Sequence, residues 1–514
     1  MSKTIIIIGA GLAGLSAALQ AAENGCNVKL VSSLPSERAQ SVMAEGGINA
    51  ALNTKDENDS PEKHFTDTIK AACGLADPNA VWGMTQAAPE LVHWLLKLGV
   101  KFNMSGYDDV DLRNFGGQKK KRTAFAQSDT GKQIMTAMID AVRRKEASGM
   151  VERFSHHSFL TLRLCGNICC GCVIRDEYSQ ETVELPGDAV IVATGGMHGL
   201  FGNTTGSLSN TGEVTAELFR LGVPLANGEM IQYHPTTVKC GGKRMLISEA
   251  ARGEGGRLFA MKDGKQWYFM EEKYPELGNL MPRDITAREI WKVSHESEVF
   301  LDMTEISEEI ISNKLSGLAD DCMTYLHKDI RKEPVSVLPG IHYFMGGILV
   351  DEQHRTPIQN LYAAGECCAQ YHGANRLGGN SLLGALYGGR VAAKSACEQA
   401  DVVDLSCATQ IDFPPASQIS EIKQLNKVMQ ETMGVVRNEN TLLNGIKTVQ
   451  ALTGNLPLLG MAVLKSALAR KESRGAHWRE DYPKSNDNDY LKTTVARFDG
   501  KQIQISFVPV PERR

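Results

Sequence analysis

The stretch that most limits what this chain can become is its opening, Lys3–Ser32. Lys3–Ile8 is a β-branched run with no apolar–polar alternation, which predicts a central parallel strand buried on both faces. Gly9-Ala10-Gly11-Leu12-Ala13-Gly14 follows at once, Leu15–Asn24 predicts a helix, and Val28–Ser32 a second strand. Together they make a βαβ unit. Its glycines let backbone approach a pyrophosphate, whose charge is stabilised by the free N–H groups of the helix start. A G-x-G-x-x-G spacing is weak by itself. The strand before it and the helix behind it make this one a dinucleotide-binding turn, with Gly9, Gly11 and Gly14 at the phosphates.

Two later stretches fit the same ligand. Ala189–Gly196 is another apolar strand ending in a glycine turn, and Leu361–Glu366 ends in a glycine and an acid. An acid in that place can set its carboxylate against a ribose hydroxyl, so Glu366 is a cofactor candidate. His372–Arg376 is a loop with one permanent cation, and Arg376 can hold a carboxylate through two parallel bonds. Asn380-Ser381 predicts the cap of a helix running through Leu382, Leu383 and Leu386 to Ala396. The free amides at the start of that helix suit a second negative group, such as a reduced flavin ring. Ser41–Leu52, with Gly46 and Gly47, is small enough for close approach to that ring.

A chain of 514 residues holds about three domains. The reading is α/β: a Rossmann-like dinucleotide domain, 1–227 and 343–400, interrupted by an α+β cap at 228–342, where strands shorten and charges rise. A helical C-terminal domain with an irregular tail follows at 401–514, with Ile419, Ile422, Leu425 and Val428 recurring every three residues. Pro61–Ile69 and Asn79–Leu98 predict helices, and Gln502–Val508 a short strand in the tail. Charge is nearly balanced, 55 basic residues against 60 acidic, and no basic stripe with interleaved aromatics indicates nucleic acid. The one basic run, Lys119–Arg122, reads as a solvated face. No apolar segment approaches the ~18 residues of a membrane span, and nothing resembles a signal peptide. A cytoplasmic protein is expected, or one held at the inner face of a membrane through partners. The cluster Cys165, Cys169, Cys170 and Cys172 lacks separated C-x-x-C pairs, so buried thiols are expected and no metal. No second dinucleotide motif marks a nicotinamide site.

His234, Ser248, Glu249, Arg252, Arg283, His342 and Arg376 all fall in predicted loops. Each alone reads as structural; gathered at one flavin they would hold a small dianion. At this point the sequence resembles the flavoprotein subunits of the fumarate reductase and succinate dehydrogenase family, which includes L-aspartate oxidase. The resemblance spans nearly the whole chain, through GAGLAG, AEGGINAAL, NFGGQKKKRTAFAQSDTG, ATGG, YHPT, SEAARGEGG, PRD, HYFMGG, AAGEC, HGANRLGGNSL and RKESRGAHWREDYP. It implies FAD as cofactor, with Glu366 at the adenosine ribose and Ser381 and Leu382 at the flavin edge. It also implies substrate carboxylates at His234, Ser248, His342 and Arg376, and Arg283 as proton donor fed by Glu249 and Arg252. An arginine is a poor acid in water, with a pKa above about 12, so this role demands crowding by other cations.

Two departures matter. Gln40 stands where respiratory members carry the histidine that bonds FAD covalently, so a non-covalent flavin is expected. Thr211-Gly212-Glu213 replaces the family's T-G-D. The functional readings are reduction of fumarate to succinate, oxidation of L-aspartate, reduction of another enoate, or non-catalytic electron transfer. Aspartate oxidases resemble R-E-G-G where this chain has Asn114-Phe115-Gly116-Gly117, and Phe115 offers no partner to a substrate ammonium. The chain has no iron–sulfur motif, so an iron–sulfur subunit or a soluble reductant is expected as electron donor. Arg474 and His477 are expected at a docking surface or in a hydrogen-bonded knot between domains.

Overall fold

The computed structural model describes residues 2–106, 109–400, 413 and 418–514. The expected C-terminal domain therefore begins partly outside the described residues, at 401–412 and 414–417. The predicted strand forms at Thr4–Ile8 and lies in the middle of a five-stranded parallel sheet. Leu361–Ala363 and Ala189–Val192 flank it on one side, Asn27–Ser32 and Val151–Ser155 on the other. Ile5, Ile6 and Ile7 are fully buried, the reason a continuous apolar run is needed there. Helix Leu12–Glu23 packs against helix Asn380–Gln399, and a side chain at Gly389 would collide with the Ala13 carbonyl. The two helices thus approach closely, and both begin at the carboxyl edge of the sheet.

The stretch expected as a cap carries two antiparallel sheets. One joins Lys243–Leu246, Ile231–Cys240 and Leu338–Phe344. The other joins Lys265–Trp267, Arg257–Lys262, Val299–Asp302 and Val335–Ser336. The first of them carries His234 and His342 on adjacent strands.

Four expectations change. The tail is not irregular throughout: Lys492–Phe498 and Ile503–Pro509 form a hairpin that extends a five-stranded sheet through Leu225–Ala226. Helix Ile419–Thr432 buries Leu425 and Met429 while Ile419 is 75% exposed; a three-residue repeat drifts around a helix, so the four-residue spacing makes the core face. Arg122 ends the basic run but is fully buried, bonding Asp59 at 2.9 and 3.1 Å and Asp67 at 2.7 Å. Its acids come from just before and within the distant helix Pro61–Ala71, which no local pattern reveals. Cys169, Cys170 and Cys172 are buried free thiols, but Cys165 is disulfide-bonded.

Arg474 and His477 lie in a buried knot. Arg474 donates to both oxygens of Glu472 at 2.8 and 2.9 Å and to the Cys73 carbonyl at 3.1 Å. His477 Nδ1 lies 2.9 Å from Arg437 Nη1. Arg470 bridges Glu229 and Glu472 at 2.7 and 2.8 Å. Glu229, Arg437, Arg470, Glu472 and His477 are all buried, where a half-satisfied ion network would be costly. The Ala476 amide donates to the Ala374 carbonyl at 2.9 Å, so the knot braces the chain two residues before Arg376.

Candidate active site

A cavity of about 570 Å³ opens at the carboxyl edge of the parallel sheet, where Ile8, Ser32, Ala193 and Ala364 end or follow its strands. Gly9, Gly11, Gly46, Gly47, Phe115, His234, Ser248, Glu249, Arg283, His342, Glu366, Arg376, Ser381 and Leu382 all line it. Of the expected site residues, Gly14 and Arg252 stand behind the wall. A side chain on Gly14 would strike the Gly9 carbonyl, so this glycine serves helix–strand contact. Gly9 has φ +110°, backbone that favours glycine. Gly11 is different: a Cβ there would come no closer than 3.7 Å to any protein atom, so the turn is open on its ligand side.

These features fit a dinucleotide. Ser32 ends the second strand, and its buried hydroxyl has no partner in the protein. That strand end, about twenty residues past the glycine turn, is where dinucleotide folds meet a ribose. No motif marks Ser32 in the sequence, although its spacing from the glycine turn points to it. Glu366 has a neighbour of its own: Oε1 accepts the Phe344 amide at 3.1 Å and lies 3.7 Å from His198 Nε2. The helix expected to be capped by Asn380-Ser381 is preceded instead by Gly379, with φ +83°. Asn380 cannot cap because its side chain bonds His64 at 2.9 Å, Asn49 at 2.7 Å and Thr68 at 3.0 Å. Its neighbours Ser381 and Leu382 line the cavity. Gln40 also lines it, and its amide oxygen accepts the Ser207 N–H.

At the other end two guanidiniums bond one carboxylate, with a third, Arg376, on the same cavity. Arg283 donates to Glu249 Oε2 from Nε at 2.9 Å and from Nη2 at 2.6 Å. Arg252 donates to Glu249 Oε1 at 3.1 Å and to the Asn279 carbonyl at 2.6 Å. Burial alone would raise the Glu249 pKa; Arg283 and Arg252 outweigh it and hold the carboxyl below its usual range. A side chain at Gly116 or Gly378 would run into this carboxylate. Burial, then repulsion from Arg283, pushes Arg376 down to about 9. Arg376 stacks on Tyr343 with its carbon 4.2 Å from the ring centre, and its Nε has no partner in the protein.

Gln232, also not foreseen, ties both arginine loops together. Its oxygen accepts from Arg283 at 3.0 Å, and its nitrogen donates to the Arg376 carbonyl at 2.9 Å and to Asn375 at 3.0 Å. It sits two residues before His234 on one strand, a spacing that returns to the same face. The His234 and His342 rings lie edge to face, 5.1 Å apart. Burial and then the charge of Arg283 hold both well below the usual histidine range, so both are neutral. His342 Nδ1 lies 2.8 Å from the Thr205 hydroxyl. If Thr205 donates, Nε2 carries the proton. Phe115 is 2% exposed and packs against Gly46 and Gly378, at the junction of the two halves of the cavity.

A dinucleotide cavity ending in buried cations defines a flavoprotein oxidoreductase, and the known proteins similar to this chain agree. The FAD binding domain family matches residues 4–382, and the fumarate reductase flavoprotein C-terminal family matches 452–513. The chain is 37% identical to the succinate dehydrogenase flavoprotein subunit of Bacillus subtilis, covering 100% of this chain and 98% of that protein. It is 32% identical to the 8-methylmenaquinol:fumarate reductase flavoprotein subunit of Wolinella succinogenes, covering 100% and 92%. A variant of Escherichia coli quinol fumarate reductase FrdA superposes with a TM-score of 0.90 at 27% identity, over 99% of this chain and 97% of that one. The chain belongs to the family of succinate dehydrogenase and fumarate reductase flavoproteins, and it is an FAD-dependent oxidoreductase. Among the described residues no helix is long and apolar enough to cross a membrane.

Proposed function

We propose that this flavoprotein interconverts fumarate and succinate and is biased toward fumarate reduction. The observation that carries the reading is Glu249 bridging Arg283 and Arg252 beside a cavity that also holds Arg376, His234 and His342. Bound FAD would supply the hydride donor or acceptor. Ser248, His234, His342 and Arg376 bind the two carboxylates, and Arg376 with His342 draws charge from one of them, leaving the double bond electron-poor. Arg283 gives a proton from its guanidinium to the adjacent carbon, and Glu249 returns one from Arg252. Burial excludes water and strengthens each of these interactions.

Gln40 has no nucleophilic nitrogen, so in this reading FAD is held without a covalent bond. Gly9, Gly11, Gly46, Gly47, Glu366, Ser381, Leu382 and the buried Ser32 hydroxyl would hold it. Electrons come from an iron–sulfur subunit or a soluble donor. An anaerobic assay of fumarate with reduced viologen tests the activity, with L-aspartate under air alongside. Fumarate turnover without saturable peroxide formation from aspartate is expected, because a buried ammonium facing Phe115 would be unpaired. Robust aspartate oxidation would replace this reading with the oxidase.

A further inference from the structure

We infer that Glu45 is a proton-linked gate on dicarboxylate binding: its neutral carboxyl admits a dianion beside Ser248, and its ionisation expels it. The inference rests on the proposed use of Ser248 as a carboxylate-binding residue. Glu45 directly precedes Gly46-Gly47 and lines the cavity. Its Oε2 is sealed from solvent and has no hydrogen-bond partner. A carboxylate left there would have one oxygen with no donor, which strongly favours the protonated form. Glu45 and Ser248 line the same cavity, so a substrate carboxylate at Ser248 shares that space with the Glu45 carboxyl.

The groups around Glu45 do not neutralise it. Arg113 is near, but it donates to main-chain oxygens: Gly46 at 3.0 Å, Gln127 at 2.7 Å and Glu45 itself at 3.4 Å. Asp321 and Asp129 face it from two helix ends and repel a charge. Cys322, beside Asp321, is pushed up to about 12 by burial and adds no charge. Burial, then Asp321, raises the Glu45 carboxyl to about 8. At neutral pH it is an acid that can donate its proton toward a substrate oxygen. Above pH 8 it becomes a second anion against a bound dianion.

The test uses malonate, a dicarboxylate with no double bond to reduce, titrated into FAD-loaded protein and followed by the flavin absorbance. In the wild-type protein affinity should fall between pH 7 and 9, by up to about tenfold per pH unit beyond 8, the limit for one linked proton. Glu45→Gln should bind malonate with no such fall below pH 8.5. Arg376, lowered to about 9, adds a further fall in both proteins above that range. Calorimetry of the wild-type protein at pH 8, in buffers of different ionisation enthalpy, should show uptake of about half a proton on binding, whether or not the variant folds. Identical profiles in wild type and Glu45→Gln, or no proton uptake at pH 8, overturn the gate alone. No malonate binding at any pH overturns the dicarboxylate reading with it.

Discussion

Replacing Arg283 with glutamine tests the chemistry most directly. Arg283 makes two bonds to Glu249 and one to Gln232, so its guanidinium is positioned before any substrate arrives. Glutamine keeps part of the volume and can still bond Gln232, but it carries no charge and no proton to give. General acid catalysis contributes about 10²–10⁴-fold, or about 2.7–5.4 kcal/mol of transition-state stabilisation. In the proposed site Arg376, His234, His342 and Ser248 remain to hold substrate, so the loss should fall on kcat. The expectation for viologen-linked fumarate reduction is a kcat lower by at least about 100-fold, with malonate affinity within about tenfold of wild type and FAD retained. The variant has a further signature. Glu249 loses its strongest cationic neighbour, so burial dominates and its carboxyl moves up from its present lowered position. The stabilisation of the charged form is then lost, and the variant should be less stable than wild type as pH rises through the new Glu249 value. A kcat within tenfold of wild type, or a loss confined to KM, would refute the assignment of Arg283 as the acid.

Three further outcomes are expected. Acid precipitation should release the flavin to the supernatant, because Gln40 cannot bond it; colour left in the washed pellet contradicts this, and succinate oxidation as fast as fumarate reduction contradicts the bias. Thr205→Val should weaken malonate binding by about fivefold, from about 1 kcal/mol for the 2.8 Å bond that orients His342, and Thr205→Ser should restore it; equal affinities in all three proteins remove that role. Arg474→Ala should lower resistance to guanidinium by about 3 kcal/mol, because the buried Glu472 loses a partner; an unchanged unfolding midpoint would place Arg474 outside the stabilising network.

Much of the molecule is local in origin. The run Thr4–Ile8, the glycine turn after it and the helix beyond need only neighbouring residues to declare themselves, and they form as read. The motif resemblance likewise brought His234, Ser248, Glu249, Arg283, His342 and Arg376 to one cavity, because each sits in a short, specific sequence context. What local pattern could not decide is how side chains from distant segments share partners. Asn380 reads as a cap until His64, Asn49 and Thr68 reach it from elsewhere in the chain. Arg122 reads as solvated until Asp59 and Asp67 enclose it. Gln232 and Thr205 are ordinary polar residues in sequence, and only the tertiary fold sets Gln232 beside Arg283 and Thr205 beside His342. Burial raises both Glu45 and Glu249, but only Glu249 is bonded by two guanidiniums, which outweigh burial there; no side chain bonds the buried oxygen of Glu45. The sequence alone determined the glycine turn and the candidate side chains now found on one cavity; tertiary structure decided which of those side chains are paired and which are charged, since both depend on neighbours far away along the chain.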